Sequence, residues 1–117
     1  MAILWRRNIS TEFMHLDTPY YAVIFTSTRT VGDNGYASMA NLMEEMAKQQ
    51  PGYLGIESAR DNIGITVSYW KNLQAIADWK QQTEHILAQK KGISDWYGSY
   101  KVRICLVERE YSFSKEN

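Results

Sequence analysis

Asp78, Gln82, His85 and Gln89 follow one another at intervals of four, three and four residues. On a helix those intervals line the side chains up in one stripe. An imidazole in such a stripe can take or give a proton near neutral pH, and Gln82, Gln89 or Asp78 beside it would fix which ring nitrogen carries that proton. A histidine at the border of a helix face also commonly makes a single structural hydrogen bond. The residues alone leave both readings of His85 open.

Trp79 lies on the neighbouring arc with Ala75, Ile76, Thr83, Ile86 and Leu87, at about 100° per residue. That spacing describes a face buried against something, and core packing accounts for Trp79 more simply than contact with a cofactor. Trp70, just before "KN", and Trp96-Tyr97 either line a cavity or seal the edge of a sheet. Four Trp and eight Tyr suit a pocket for a flat ligand and equally suit a large interface.

Other chemistries find little support. The two histidines, His15 and His85, stand 70 positions apart with no CxxC or HxxxH, so no metal is expected. GxSxG, phosphate-binding glycine loops and the dinucleotide fingerprint are all missing, which argues against nucleophilic hydrolysis and nucleotide binding. Glu57 and Arg60 in "GIESAR" read as a sheet-edge ion pair, with a partly buried catalytic pair as the alternative. Arg103, Glu108 and Arg109 read as cross-strand charge pairs.

The elements that must position these residues follow from periodicity. Residues 1–19 show no sustained period and read as an arm, docked by Trp5 and Phe13. "YYAVIFTSTRT" is rich in aromatic and β-branched residues and predicts a strand. In "VGDNG", Asp33 or Asn34 offers a side-chain oxygen to cap a helix. Tyr36, Met39, Ala40, Met43, Met46 and Ala47 then recur by threes and fours, and Pro51-Gly52 ends that helix. "YLGIESAR" and "GITVSYW", joined by "DNIG", predict an antiparallel hairpin. A second helix runs from about Leu73 to Lys91 and stops at Gly92. "ISDWYG" reads as a short turn, and "SYKVRICLVEREYSF" as the last strand.

Strand, helix, strand, strand, helix, strand is the βαββαβ order of an α+β, ferredoxin-like fold: a four-stranded antiparallel sheet with both helices on one face. Its other face would be left apolar and uncovered, since "AVIFTS" and "ITVSYW" carry large residues at both alternating sets of positions. A homodimer through that open face is the economical way to cover it.

Length and composition agree with this outline. A chain of 117 residues, 44% of them hydrophobic, predicts one domain, residues 20–111, between the arm and a flexible tail at 112–117. Thirteen Lys and Arg balance thirteen Asp and Glu, so no net field favours nucleic acid or an anionic membrane. The lone Cys105 allows no internal disulfide and suits a reducing cytoplasm. "MAILWRRNIS" has too short an apolar run for a signal peptide, and no stretch nears the ~20 apolar residues of a membrane span. A cytoplasmic protein is expected.

"PYYAVIFTSTRT", "QPGYLGIESARD", "GITVSYWKNLQAIADWK" and "WYGSYKVRICLVEREY" together resemble the antibiotic biosynthesis monooxygenase family, of the dimeric α+β barrel superfamily. The likeness runs from Pro19 to Tyr111. It implies two ferredoxin-like sheets paired face to face and a pocket between each sheet and its helices. It also implies one of two activities. Some members oxygenate polycyclic phenols with O2 and no metal or flavin, the substrate's carbanion supplying the electrons; others degrade haem.

In the haem-degrading branch a tryptophan on the second helix is followed ten residues later by the iron-ligating histidine, and the first strand carries an asparagine. Trp79 matches the tryptophan, but ten residues on stands Gln89, and "VIFTSTR" has no asparagine. Glutamine is a poor iron ligand, so haem degradation is the least supported activity. The cofactor-free reading makes Trp79 and Trp70 pocket walls, with His85 as base or hydrogen-bond partner and Gln89 beside it. It expects a small aromatic substrate and no cofactor. The competing expectation, from another class, is a dimeric ligand-binding or stress-related module without oxygenase activity.

Overall fold

A computed structural model describes residues 4–7, 16–89 and 95–115, with side chains over 16–87 and 95–115. Its elements are β1 (Leu4–Arg7), β2 (Tyr20–Arg29), α1 (Tyr36–Lys48), β3 (Tyr53–Arg60), β4 (Gly64–Trp70), α2 (Leu73–Gln89) and β5 (Tyr97–Val107). All strand pairs are antiparallel, in the order β1-β3-β4-β2-β5. The inner order β3-β4-β2-β5 with two helices is the α+β ferredoxin-like fold expected from the sequence.

The short β1 is the addition to that expectation. Leu4 to Arg7 pair with Arg60 to Glu57 and lengthen the sheet by one strand at the β3 edge. Edge pairing is made by backbone N–H and C=O groups, so it leaves no side-chain period to read. The docking expected of Trp5 and Phe13 lies outside the described side chains. Among the described residues no helix is long and apolar enough to cross a membrane.

Both helices follow their apolar spacing. Asp33 supplies the oxygens for the start of α1, accepting the amides of Gly35 at 3.0 Å and Ala37 at 3.2 Å. Met39 and Ala47 are buried on the inner face of α1, with Tyr36, Ala40, Met43 and Met46 partly buried beside them. At the start of α2 the Asn72 side-chain oxygen accepts the Ala75 amide at 2.8 Å. Ala75, Ile76 and Ile86 are buried, and Trp79, Thr83 and Leu87 partly so. Gln50, just past α1, and Gln82 of α2 exchange two amide hydrogen bonds, at 3.3 and 3.1 Å, which tie the helices together.

Register assigns every strand residue to a face. Tyr21, Val23, Phe25 and Ser27 stand opposite Trp70, Ser68, Thr66 and Gly64 on β4 and opposite Leu106, Ile104, Val102 and Tyr100 on β5. This is the helix-facing side, where Ala47, Trp70, Ala75 and Ile76 form the core with Tyr21, Val23, Tyr53 and Trp79 against it. The reverse side carries Tyr20, Ala22, Ile24, Tyr69, Val67, Ile65 and Cys105. Glu57 pairs with Val67 and Arg60 with Gly64, so the two point to opposite sides of the sheet. The expected Glu57–Arg60 ion pair is thereby overturned, because three residues along a strand reverse the side-chain direction.

The last strand also differs from its expected bounds. It begins at Tyr97, within the stretch that read as a turn, and ends at Val107. Thr28 pairs with Ser99 but Arg29 pairs with Tyr97, which leaves Gly98 as the extra residue of a β-bulge.

Candidate functional site

Trp70 and Trp79 come together, with ring centroids 6.1 Å apart and planes 27° from parallel. Tyr53 closes on Trp70 edge-first at 5.8 Å. Trp70 is fully enclosed, at 0% exposure, and its indole N–H donates to Ser68 Oγ at 2.8 Å. Trp79 is the partly exposed member of the pair and the one able to meet a ligand.

His85 lies elsewhere on α2. Six residues beyond Trp79, it is turned about 120° around the helix. It is exposed and borders a shallow groove of about 280 Å³ with Met46, Gln81, Gln82 and Ile86. Neither tryptophan lines that groove. Asp78 accepts from Gln74 Nε2 at 2.9 Å, while Gln82 is held by Gln50, so neither bond engages the imidazole. Gln89 is the last residue of α2, and its side chain lies outside the described residues.

A second constellation gathers on the helix-facing side, at the end where α1 begins. Phe25 stacks on Tyr100 at 5.5 Å and meets Tyr97 edge-first at 5.4 Å; Tyr97 in turn meets Tyr36 at 5.7 Å. Simple alternation from Tyr100 would put Tyr97 on the reverse side, and the Gly98 bulge turns it back among these rings. Two arginines join them. The Arg29 guanidinium lies 3.7 Å from the Tyr36 ring centroid and that of Arg60 lies 5.8 Å from it.

The two arginines have different partners. Arg29 donates to the carbonyls of Trp96, Gly32 and Asp33, which makes it a brace for the loop before α1. Arg60 reaches across β4 to donate to Ser27 Oγ at 2.8 Å. It can do so because Gly64 lies between them; a Cβ there would overlap the guanidinium. Burial and the hydrogen bond to Tyr36 hold the Tyr97 phenol above its usual range, against the opposing pull of the two arginines. Trp96 is buried and donates its indole N–H to the Asn34 carbonyl at 2.8 Å, sealing this end of the sheet.

The spacing of these residues does not assemble this group; its one local signal is Gly64 at the start of the predicted strand "GITVSYW", where a missing side chain lets another group approach the backbone, whereas Gly98 falls in the stretch that reads as a turn. On the reverse side Tyr20 donates to Glu110 at 2.6 Å and Tyr69 to Glu57 at 3.4 Å. Burial first, and then the adjacent carboxylates, raises both phenols above their ordinary pKa.

Comparison with other proteins adds a relative and a fold. No protein-family model matches the chain. It is 48% identical over 101 residues to the uncharacterised protein YqjZ of Bacillus subtilis (strain 168), covering 85% of this chain and 89% of that one. Its structure is similar to a provisionally named antibiotic biosynthesis monooxygenase of Nitrosomonas europaea, with a TM-score of 0.64 at 15% identity over 80% of this chain and 95% of that one. It is also similar to PA3566 of Pseudomonas aeruginosa (TM-score 0.60, 20% identity, 84% and 100% covered). A protein of Chloroflexus aurantiacus J-10-fl, provisionally given the same monooxygenase name, is similar too (TM-score 0.58, 16% identity, 81% and 99% covered). At such identities the likeness establishes the fold and leaves the reaction to be argued from the site.

Proposed function

We propose, for a chain that belongs to the family of Bacillus subtilis YqjZ and has the fold of the proteins named antibiotic biosynthesis monooxygenases, a cofactor-independent monooxygenase acting on a small aromatic or polycyclic substrate. The observation that carries this is the helix-facing side of β5. Tyr100, Val102, Ile104 and Leu106 are 47, 47, 52 and 49% exposed there, beside Phe25 and Tyr97. A half-open apolar row next to packed rings is where a flat substrate would lose most water.

The chemistry asks little of the protein. A base removes a proton from an activated CH2 beside a phenol, and the resulting carbanion reduces O2 and bonds to it as a hydroperoxide. Loss of water then leaves a carbonyl, so CH2 plus O2 becomes C=O plus H2O. The protein excludes water and stabilises the anion. Trp79 serves as a wall, Trp70 as the backing that fixes its angle, and His85 with Gln89 as the proton acceptor and its neighbour.

Oxygen consumption with anthrones and related phenols, without added metal, tests the proposal; silence across such a panel overturns it. His85→Ala is expected to change unfolding stability by no more than about 0.5 kcal/mol, as befits an exposed site, while abolishing oxygen uptake. Uptake that persists in this variant assigns proton transfer to another group. The exposure of His85 and the complete burial of Trp70 favour, as a second reading, a ligand-binding module that holds an aromatic compound without oxygenating it. Tight binding with no oxygen uptake selects that reading.

Either reading includes a homodimer through the reverse side of the sheet. A groove of about 260 Å³ runs there along Glu57, Ala59, Ile65 and Val67, and Ile65 is 45% exposed. Ile65→Glu should leave the protomer folded yet place an unpaired carboxylate in the interface, at a cost of several kcal/mol. Sedimentation should then show a dimer for the parent chain and a monomer for the variant. A parent chain that sediments as a monomer at micromolar concentration removes the dimer.

A further inference from the structure

We propose that Arg60, with Tyr36, Tyr97 and Ser27 around it, forms a binding site for the carboxylate of a flat aromatic acid. This deepens the function above by naming the substrate's class, and rests on it for placing the substrate on the helix-facing side of the sheet.

Among the described residues, the ion pairs join Lys48 to Glu44 and Glu45, and Lys80 to Glu84; Arg60 is in none of them. It is partly buried, and its guanidinium, with five N–H donors and part of its surface withdrawn from water, has here one hydroxyl acceptor and the face of one ring. Charge withdrawn from water is ordinarily paired, the more so the deeper it lies. The Asp33 carboxylate accepts the amides of Gly35 and Ala37, and the hydrogen bonds of Arg29 go to three carbonyls. A carboxylate brought by a ligand would complete the set with charge-assisted bonds in the fork geometry that guanidinium favours.

The missing side chain at Gly64 and the Ser27 hydroxyl two strands away hold the guanidinium where it is, and the Gly98 bulge separately turns Tyr97 toward the same end of the sheet. A simple tie between strands accounts for the first two and not for the ring turned in beside them. The rings of Phe25, Tyr97 and Tyr100 then define what the acid must carry, a planar apolar body able to stack beside the half-exposed row of β5.

Calorimetric titration of the full chain under anaerobic conditions with 2-naphthoate and with 2-naphthamide tests this, because the two probes share shape and differ in charge. Naphthoate is expected to bind at least about tenfold more tightly, the scale of one charge-assisted contact. Arg60→Gln should bring the two affinities together by weakening naphthoate alone. Gly64→Ala, which keeps the charge but displaces it, should do the same, and thermal melts identify any variant that does not fold. Equal binding of the two probes by the parent chain, binding of neither, or a preference that survives in folded Arg60→Gln each overturns the site. The parent-chain comparison stands even if both variants fail to fold. A naphthoate preference without oxygen uptake on any phenol sinks the oxygenase alone, whereas oxygen uptake without the preference sinks the acid site alone.

Discussion

Replacing Trp70 with alanine is expected to remove about 3 to 5 kcal/mol of folding stability, the usual range for truncating a buried large aromatic. Trp70 is the largest fully buried side chain, at 0% exposure, and it holds Tyr53 and Trp79 against its two sides. Truncation opens a cavity between β4 and α2 and also strips the buried Ser68 hydroxyl of its donor. Against a total of about 5 to 15 kcal/mol for a domain, this is a large fraction. Urea unfolding of the variant should show a much lower midpoint with a similar slope. Trp70→Phe keeps ring packing and loses only the indole N–H, so it should fall between the parent chain and Trp70→Ala. A loss below about 1 kcal/mol for Trp70→Ala would mean that the core closes without this ring, and would make Trp70 available as a pocket wall after all.

The same residue shows what could be read in the sequence. The threes and fours of both helices place Ile76, Trp79, Met39 and Ala47 on inward faces, because burial is imposed on each helix by its own period, whereas "GITVSYW" has large residues at both alternating sets of positions and leaves the side of Trp70 open. Properties that depend on two elements at once were not legible. Tyr97 joins Phe25 and Tyr36 only through a bulge, and one extra residue reverses every side chain beyond it. Arg60 reaches Ser27 only because the register puts Gly64 between them, and no local pattern states a register. The exposure of His85 depends likewise on where α1 lies beside α2. The stripe that contains it could be read from spacing, whereas its separation from the tryptophans required the packed pair of helices.

Gly52→Ala should be the second severe substitution, and the reason lies in a contact between elements far apart in the chain. Gly52 turns the chain from α1 into β3 with φ +84°, a left-handed conformation that costs an alanine about 1 to 2 kcal/mol. A Cβ there would also sit 2.7 Å from the Ala75 Cβ, closer than real carbons approach, and relieving such overpacking in a core costs about 1 to 3 kcal/mol more. The turn cannot easily give way, since the Gly52 carbonyl accepts the Lys71 amide at 2.8 Å and Ala75 belongs to the core with Trp70 and Ile76. The expected loss is therefore about 2 to 5 kcal/mol in urea unfolding. Gly35 supplies the control: it has φ +82° with nothing within 4 Å of a built Cβ, so Gly35→Ala should show the conformational cost alone. If packing is the difference between the two, adding Ala75→Gly to Gly52→Ala should recover more stability than the Ala75→Gly change loses by itself, a coupling of the kind a double-mutant cycle measures. Equal losses at Gly35 and Gly52 would instead place the whole cost in the backbone and leave the start of α2 free to shift. Because Trp79 stacks on Trp70 one turn further along that helix, such freedom would loosen the wall on which an aromatic substrate is proposed to rest.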